Sequence, residues 1–393
     1  MFVNARGVLL TVAIATSVAC SSAGSNGTAG GNCDLPHVSG EDCDRAHAML
    51  LPEQLAPSPG NQYADNADAA TLGFHLFFDS RLGSGVACVN CHAPELAFTD
   101  RLSVSKGKGI GGRNAPTVFN AARLTVMFWD GRADSLWSQP LFAIENALEM
   151  NSTRLELAHL VASDTDFRSN YEKAFGPLPD MSAWPAAGMP GTPAFDAMPS
   201  AEQDQVNRVA ANVGKAFDAY QRLNTTNGAP VDRFLKGEPD ALVDPAQRGL
   251  GVFLAHHCDS CHSGPMLTDQ SFHDAGFPTL PGVATDTGYL AGFEVLRNNI
   301  FNLQGAFADP GPGVPGALPA APSQAGQFRT PPLRNVTRTA PYGHDGALAS
   351  LVDVLSVHAT DVSPDDQGSL LAFFETLNGE YPPKPWNNWP SPQ

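Results

Sequence analysis

Apolar residues along this chain recur mostly at helical rather than strand spacing. In SAEQDQVNRVAANVGKAFDAYQRL, Val206, Val209, Val213, Phe217 and Tyr220 keep steps of three, four and seven residues. A helix is predicted there, with Ser200 as N-cap and Gln203 three residues on. DPAQRGLGVFLAHH predicts a second, with Asp244 as cap and Pro245 at the first helical position; it runs straight into Cys258. SPDDQGSLLAFFETLNG repeats the device with Ser363 and Pro364, presents Leu370, Phe374 and Leu377 on one face, and stops at Asn378-Gly379. In GALASLVDVLSVH, Leu348, Leu351, Leu355 and His358 share one helical face, so His358 points where the apolar side chains point. Alternating patterns are nearly absent. The predicted fold class is mostly α, with long loops and little β.

Two Pro/Gly-rich stretches interrupt the helical pattern, FGPLPDMSAWPAAGMPGTPAFDAMPS and FADPGPGVPGALPAAPSQAG. The first reads as an insertion between modules, the second as a loop inside the later one. A chain of 393 residues suits two domains or more. The N-terminus carries Arg6 and then GVLLTVAIATSVA, an apolar run too short to span a membrane comfortably. It reads as an export signal over residues 1–19. The small residues before Cys20 resemble a lipoprotein cleavage site, which favours lipid attachment at Cys20 over plain cleavage. Residues 20–44 are expected to form a flexible tether, 45–200 a first module and 201–393 a second. Export implies the periplasm, where Cys33 and Cys43 are expected to pair as a disulfide. The chain has 40 acidic against 23 basic residues. That balance argues against nucleic acid and suits a basic protein partner such as a small electron carrier.

The remaining four cysteines lie in two C-x-x-C-H sequences, Cys88, Cys91, His92 and Cys258, Cys261, His262, separated by 170 residues. Each cysteine pair can add to the vinyl groups of a haem, and the following histidine is then held under the iron. A zinc site would call for converging cysteine pairs without an obligatory histidine after each. Two covalent haems c are therefore expected, one per module, with His92 and His262 as proximal ligands. The opposite face of each iron decides the chemistry. No histidine, methionine or tyrosine lies between His92 and Asn114, and Lys106 and Lys108 are poor ligands in a Gly-rich loop. For the second haem, His358 and His273 are both candidates. His256 and His257 lie too close to the motif to reach over the ring.

Three longer blocks make the chain resemble the bacterial dihaem cytochrome c peroxidases and their MauG-like relatives. They are LGFHLFFDSRLGSGVACVNCHAPELAFTD, RNAPTVFNAARLTVMFWDGRADSLWSQPLFAIENALEM and FRTPPLRNVTRTAPYGHDG. The resemblance implies two cytochrome c-like domains, an N-terminal peroxidatic haem and a C-terminal electron-transfer haem. It implies Glu149 as acid/base group above the first haem, Gln139 beside it, and Trp129 as stepping stone between the haems. Taken alone, Glu149 would pass for a solvated helix residue and Trp129 for ordinary core. It also implies one Ca²⁺ held by Asn114, Thr339 and Pro341. Two departures stand out. The loop LSVSKGKGIGGR lacks the histidine that many of these peroxidases use to cap the first haem, so an open site needing no reductive activation is expected. His358 stands where a methionine or tyrosine is usual, and an imidazole there lowers the reduction potential.

These readings predict a cytochrome-c peroxidase-type oxidoreductase that reduces hydrogen peroxide, drawing electrons from a small periplasmic cytochrome c or cupredoxin. Electrons would pass from the C-terminal to the N-terminal haem. The alternatives are a MauG-like oxidase that modifies side chains of a partner protein, and a dihaem electron carrier without catalysis. Pairing into a homodimer is left open.

Overall fold

In the computed structural model, residues 33–322 and 324–383 are described. The export signal, Cys20 and the first part of the expected tether lie outside them. Twelve α-helices are described: α1 (Cys43–His47), α2 (Ala67–Phe78), α3 (Gln139–Glu145), α4 (Arg154–Ser163), α5 (Thr165–Phe175), α6 (Pro193–Asp196), α7 (Ser200–Gln221), α8 (Pro230–Leu235), α9 (Asp244–Ala255), α10 (Tyr289–Asn298), α11 (Leu351–His358) and α12 (Pro364–Glu375). Among the described residues the sheet content is one antiparallel pair, β1 (Phe272–His273) with β2 (Phe328–Arg329), Phe272 facing Arg329. No described helix is long and apolar enough to cross a membrane.

The capping details differ in part from expectation. Ser363 caps α12 and accepts from the Asp366 N–H, as predicted. Ser200 is the first helical residue of α7; Pro199 holds the N-cap position, and Gln203 Nε2 donates to Met198 O instead of closing a capping box. Asp244 likewise lies inside α9 after Val243 at the N-cap, with its carboxylate 2.9 Å from His37 Nε2. For α11 the cap is Ser350, boxed with Asp353, so Leu348 falls outside the helix while remaining buried.

Two large cores organise the helices, and the same device builds both. In the first, Gly73 of α2 lets the helix lie directly on the α7 backbone; a Cβ there would collide with Ala216 O. In the second, Gly249 of α9 meets Ser369 O of α12 in the same way. Each pair is a helix preceding a C-x-x-C-H sequence crossed by a later one, and the missing side chain permits the close approach.

The division between cores does not fall at residue 200/201. α7 contributes Val206, Val209, Val213 and Phe217 to the first core, together with Phe301 and Phe307 from the later half. The second core takes in Leu35, Ala46 and Met49 from the N-terminal end. Residues 33–44 are therefore not a free tether. Cys33 and Cys43 are joined, with their Cα atoms 5.7 Å apart. Arg45 grips Asp259, which lies between the second cysteine pair, through Nε at 2.7 Å and through Nη2. It also donates to Leu254 O at 2.9 Å. Apolar burial and this ion pair hold the segment to the second half, which polar composition alone did not reveal.

Candidate active site

Both C-x-x-C-H sequences fold alike. Cys88–Asn90 and Cys258–Ser260 each form a 3₁₀ turn, and the N–H of His92 and of His262 donates to Cys88 O and Cys258 O, both at 2.9 Å. The chain then doubles back through Phe98 and Leu267, both in the left-handed region, with φ of 56° and 51°. That turn brings Phe98 O to 3.2 Å from His92 Nδ1 and Leu267 O to 3.1 Å from His262 Nδ1. An imidazole donating from Nδ1 to a carbonyl leaves Nε2 to bind a metal, the usual support for a ligating histidine. Burial lowers the pKa of His92 and pushes that of His262 down to about 4, so both rings are neutral at neutral pH. Burial also raises the thiols of Cys88 to about 12 and of Cys91 and Cys258 to about 11.

Beside the first pair lies a cavity of about 650 Å³. Its lining brings together Cys88, Cys91, His92, Trp129, Gln139 and Glu149. The volume is within the range of cofactor sites. Arg329 borders it at 4 % exposure; among the described residues its guanidinium donates only to carbonyls, Phe128 O from Nε at 3.1 Å and Thr330 O from Nη1 at 3.3 Å. Burial lowers its pKa to about 10, so the cation persists at neutral pH. A buried cation without a carboxylate calls for an anion, and the acidic substituents of a haem supply one. Cavity, thiols, neutral imidazole and buried cation fit the group implied by the sequence.

The catalytic candidates are placed by specific backbone contacts. Glu149 is half-buried, and its Oε1 accepts from Asn146 Nδ2 at 2.8 Å. Burial raises its pKa, opposed first by Arg132. The Gly-rich loop that lacks a histidine lies against it. Lys108 N donates to Glu149 O and Gly109 N to Leu148 O, both at 2.9 Å. Gly107 makes this approach feasible, since a Cβ there would collide with Glu149 O. Gln139 opens α3. Trp129 donates from Nε1 to Asn114 O at 3.0 Å, while its own carbonyl accepts from Arg329 N at 2.8 Å. The tryptophan thus joins first-half loop to second-half strand.

At the second pair, the rings of His262 and His358 stand 6.4 Å apart between centroids and perpendicular. Two metal–imidazole bonds of about 2 Å and two half-rings span about 6 Å, so one iron fits between them. His358 ends α11 on the surface, with Phe277 5.5 Å away. His273 instead gives its Nε2 to Asp269 at 2.8 Å. His256 and His257 face Asp361 and Arg45. Asn114 reaches the segment carrying Thr339 and Pro341 through its N–H, which donates to His344 O at 2.8 Å. Its amide nitrogen is committed to Leu102 O at 2.7 Å, turning Oδ1 away from Leu102.

Sequence reasoning missed three contributors. Val283–Thr287, from the second half, lines the first cavity, and Asp286 there pairs with Arg113. Arg132 of FWDGR faces Glu149. Arg329 had no local pattern to mark it, and only its burial singles it out.

Comparison with known proteins agrees with this geometry. The family described as di-haem cytochrome c peroxidase matches over residues 67–240. The cytochrome c551 peroxidase of Pseudomonas aeruginosa is 30% identical over 351 residues, covering 86% of this chain and 87% of its own. The methylamine utilization protein MauG of Methylophilus methylotrophus is 28% identical over 334 residues, covering 79% and 83%. Among solved structures, a MauG-like protein associated with microbial copper homeostasis shares the fold, with a TM-score of 0.60 at 24% identity over 84% of this chain and 95% of that one. Matched nearly end to end at this identity, and carrying both haem-attachment sequences on like-built turns, the chain belongs to the di-haem cytochrome c peroxidase family.

Proposed function

We propose that this protein is a periplasmic peroxidase that reduces hydrogen peroxide to water with electrons from a small redox protein. The observation that carries the reading is the convergence of Glu149, Gln139 and Trp129 on the cavity of His92, beside a loop without a ligating side chain. Bound through Cys88 and Cys91 and through Cys258 and Cys261, two haems c supply the irons that exchange electrons with peroxide and donor. Each of the two cores then serves as one cytochrome c-like domain.

The residues divide the remaining work. His92 and His262 present Nε2, with Nδ1 anchored on a carbonyl. Glu149 would take a proton from one oxygen of peroxide and give it to the other, which would leave as water; two electrons delivered through the haems and two protons from solvent would reduce the remaining oxygen to a second water. The Gln139 amide orients the peroxide. Trp129 supplies the aromatic link between the halves. His358 would supply the second protein ligand to the iron held by His262, an imidazole where the family usually has a methionine or tyrosine. Asn114, Thr339 and Pro341 offer oxygens to one Ca²⁺, tying the first-half loop to the second half. The Gly-rich loop carries no histidine to cap the first haem, so the first site would be open without prior reduction. Export with lipid attachment at Cys20 would place the enzyme at the membrane surface.

The presence of His358 rather than methionine favours a second reading, a MauG-like oxidase acting on side chains of a partner protein. Steady-state oxidation of a reduced small cytochrome by peroxide, with no reductive pre-treatment, tests the first reading. Glu149→Gln is expected to cut that turnover by at least about 100-fold. Undiminished turnover in the variant rejects the role of Glu149. Slow donor turnover by the wild type with rapid peroxide consumption favours the oxidase.

A further inference from the structure

A chain of charges spanning both halves ends at Glu149. Asp286 accepts two hydrogen bonds from Arg113, Nε at 2.7 Å and Nη2 at 2.9 Å. Arg113 Nη1 pairs with Asp130 Oδ2 at 2.5 Å. Because Asp286 satisfies the other edge of Arg113, Asp130 keeps its second oxygen for Arg132. That oxygen takes Arg132 Nη1 at 3.0 Å and the Arg132 N–H at 3.3 Å. The guanidinium also lies over Phe128, 3.4 Å from the ring centroid. Thus fixed, Arg132 holds Nη2 3.9 Å from Glu149 Oε1. That distance is too long for a hydrogen bond but within the range in which a cation stabilises a carboxylate charge.

We propose that Arg132 is the positioning residue for Glu149, lending its carboxylate a cation and holding it toward the cavity, with Asp130 and Asp286 locking the guanidinium in place. The inference rests on Glu149 being the acid/base group. The other groups facing that carboxylate are the Asn146 amide, Arg113 as a second cation, and Asp130 as an opposing like charge. Lys108 meets Glu149 through its backbone, while its Nζ donates to Ser84 O at 2.8 Å.

The test uses the full chain matured with both haems, and cyanide as a probe. Hydrogen cyanide must shed its proton on binding to ferric iron, so its association rate reports on the nearby base without any turnover. In Arg132→Gln the Glu149 carboxyl becomes harder to ionise. The acid limb of cyanide association, and of peroxide turnover, is expected to move up by about one pH unit, a loss of about tenfold below the limb that recovers at high pH. Arg132→Lys keeps the charge and is expected to keep the limb. Arg132→Met gives the same readout should the glutamine variant fail to mature. An unmoved limb, or an equal loss at every pH, overturns the proposal. If Glu149→Gln itself leaves cyanide association and turnover unchanged, the fault lies in the assignment of Glu149 instead.

Discussion

At the scale of single residues, the proposed second iron site rests on His358. A surface histidine at a helix end would ordinarily serve only to interact with the helix dipole. Its ring stands 6.4 Å from that of His262, while His273 is engaged with Asp269. The oxidised holoprotein is therefore expected to show a low-spin bis-histidine signal by low-temperature EPR, and His358→Ala should abolish it. Survival of that signal would assign the sixth ligand to another side chain. The spacing of Leu348, Leu351, Leu355 and His358 singled out His358 in the sequence, although Leu348 precedes α11 and the His358 ring is exposed instead of following the apolar side chains inward. Arg329 was not visible in that way, because a lone arginine in FRTPPL carries no periodic signal. Its meaning comes from burial without a carboxylate partner among the described residues.

At the scale of elements, the haem-attachment turns are held by two helix crossings, α2 on α7 and α9 on α12. Gly249→Ala puts a Cβ into the Ser369 carbonyl. Forced separation of well-packed elements costs about 1–3 kcal/mol, so a lower melting temperature is expected by calorimetry. Less covalent haem at Cys258 and Cys261 should also be seen in pyridine haemochrome assays, because α9 leads directly into that turn. Full stability and two haems per chain in the alanine variant would show that the crossing is looser than it looks. The helices themselves were readable from apolar spacing. Their caps were less so. Ser200 and Asp244 are good capping residue types, yet each sits one position inside its helix, since tertiary contacts decided where the first turn began.

At the scale of the whole molecule, a net charge of -17 sets the field that a redox partner meets. Turnover with a basic cytochrome is expected to fall on the order of tenfold between roughly 10 mM and 150 mM ionic strength, as steering is screened. Stopped-flow rates that ignore salt would argue for a neutral or acidic donor. The two halves are not independent in this field. Asp286 reaches Arg113, Arg329 reaches Trp129, and buried Lys215 pairs with Asp309 at 2.8 Å. The first cavity is thus built from both halves of the chain.

What the sequence determined by itself was local: helical spacing, two attachment motifs, a cysteine pair ten residues apart, and a loop without histidine, methionine or tyrosine. Each is written in residues close together, where backbone geometry alone relates them. The tertiary structure decided what joins residues far apart. It put α7 in the first core, strapped Cys33–His47 to the second motif, and brought Arg132 and a loop around Asp286 to the Glu149 site. Such pairings depend on which apolar faces and charges find one another during burial, and no spacing along the chain encodes that.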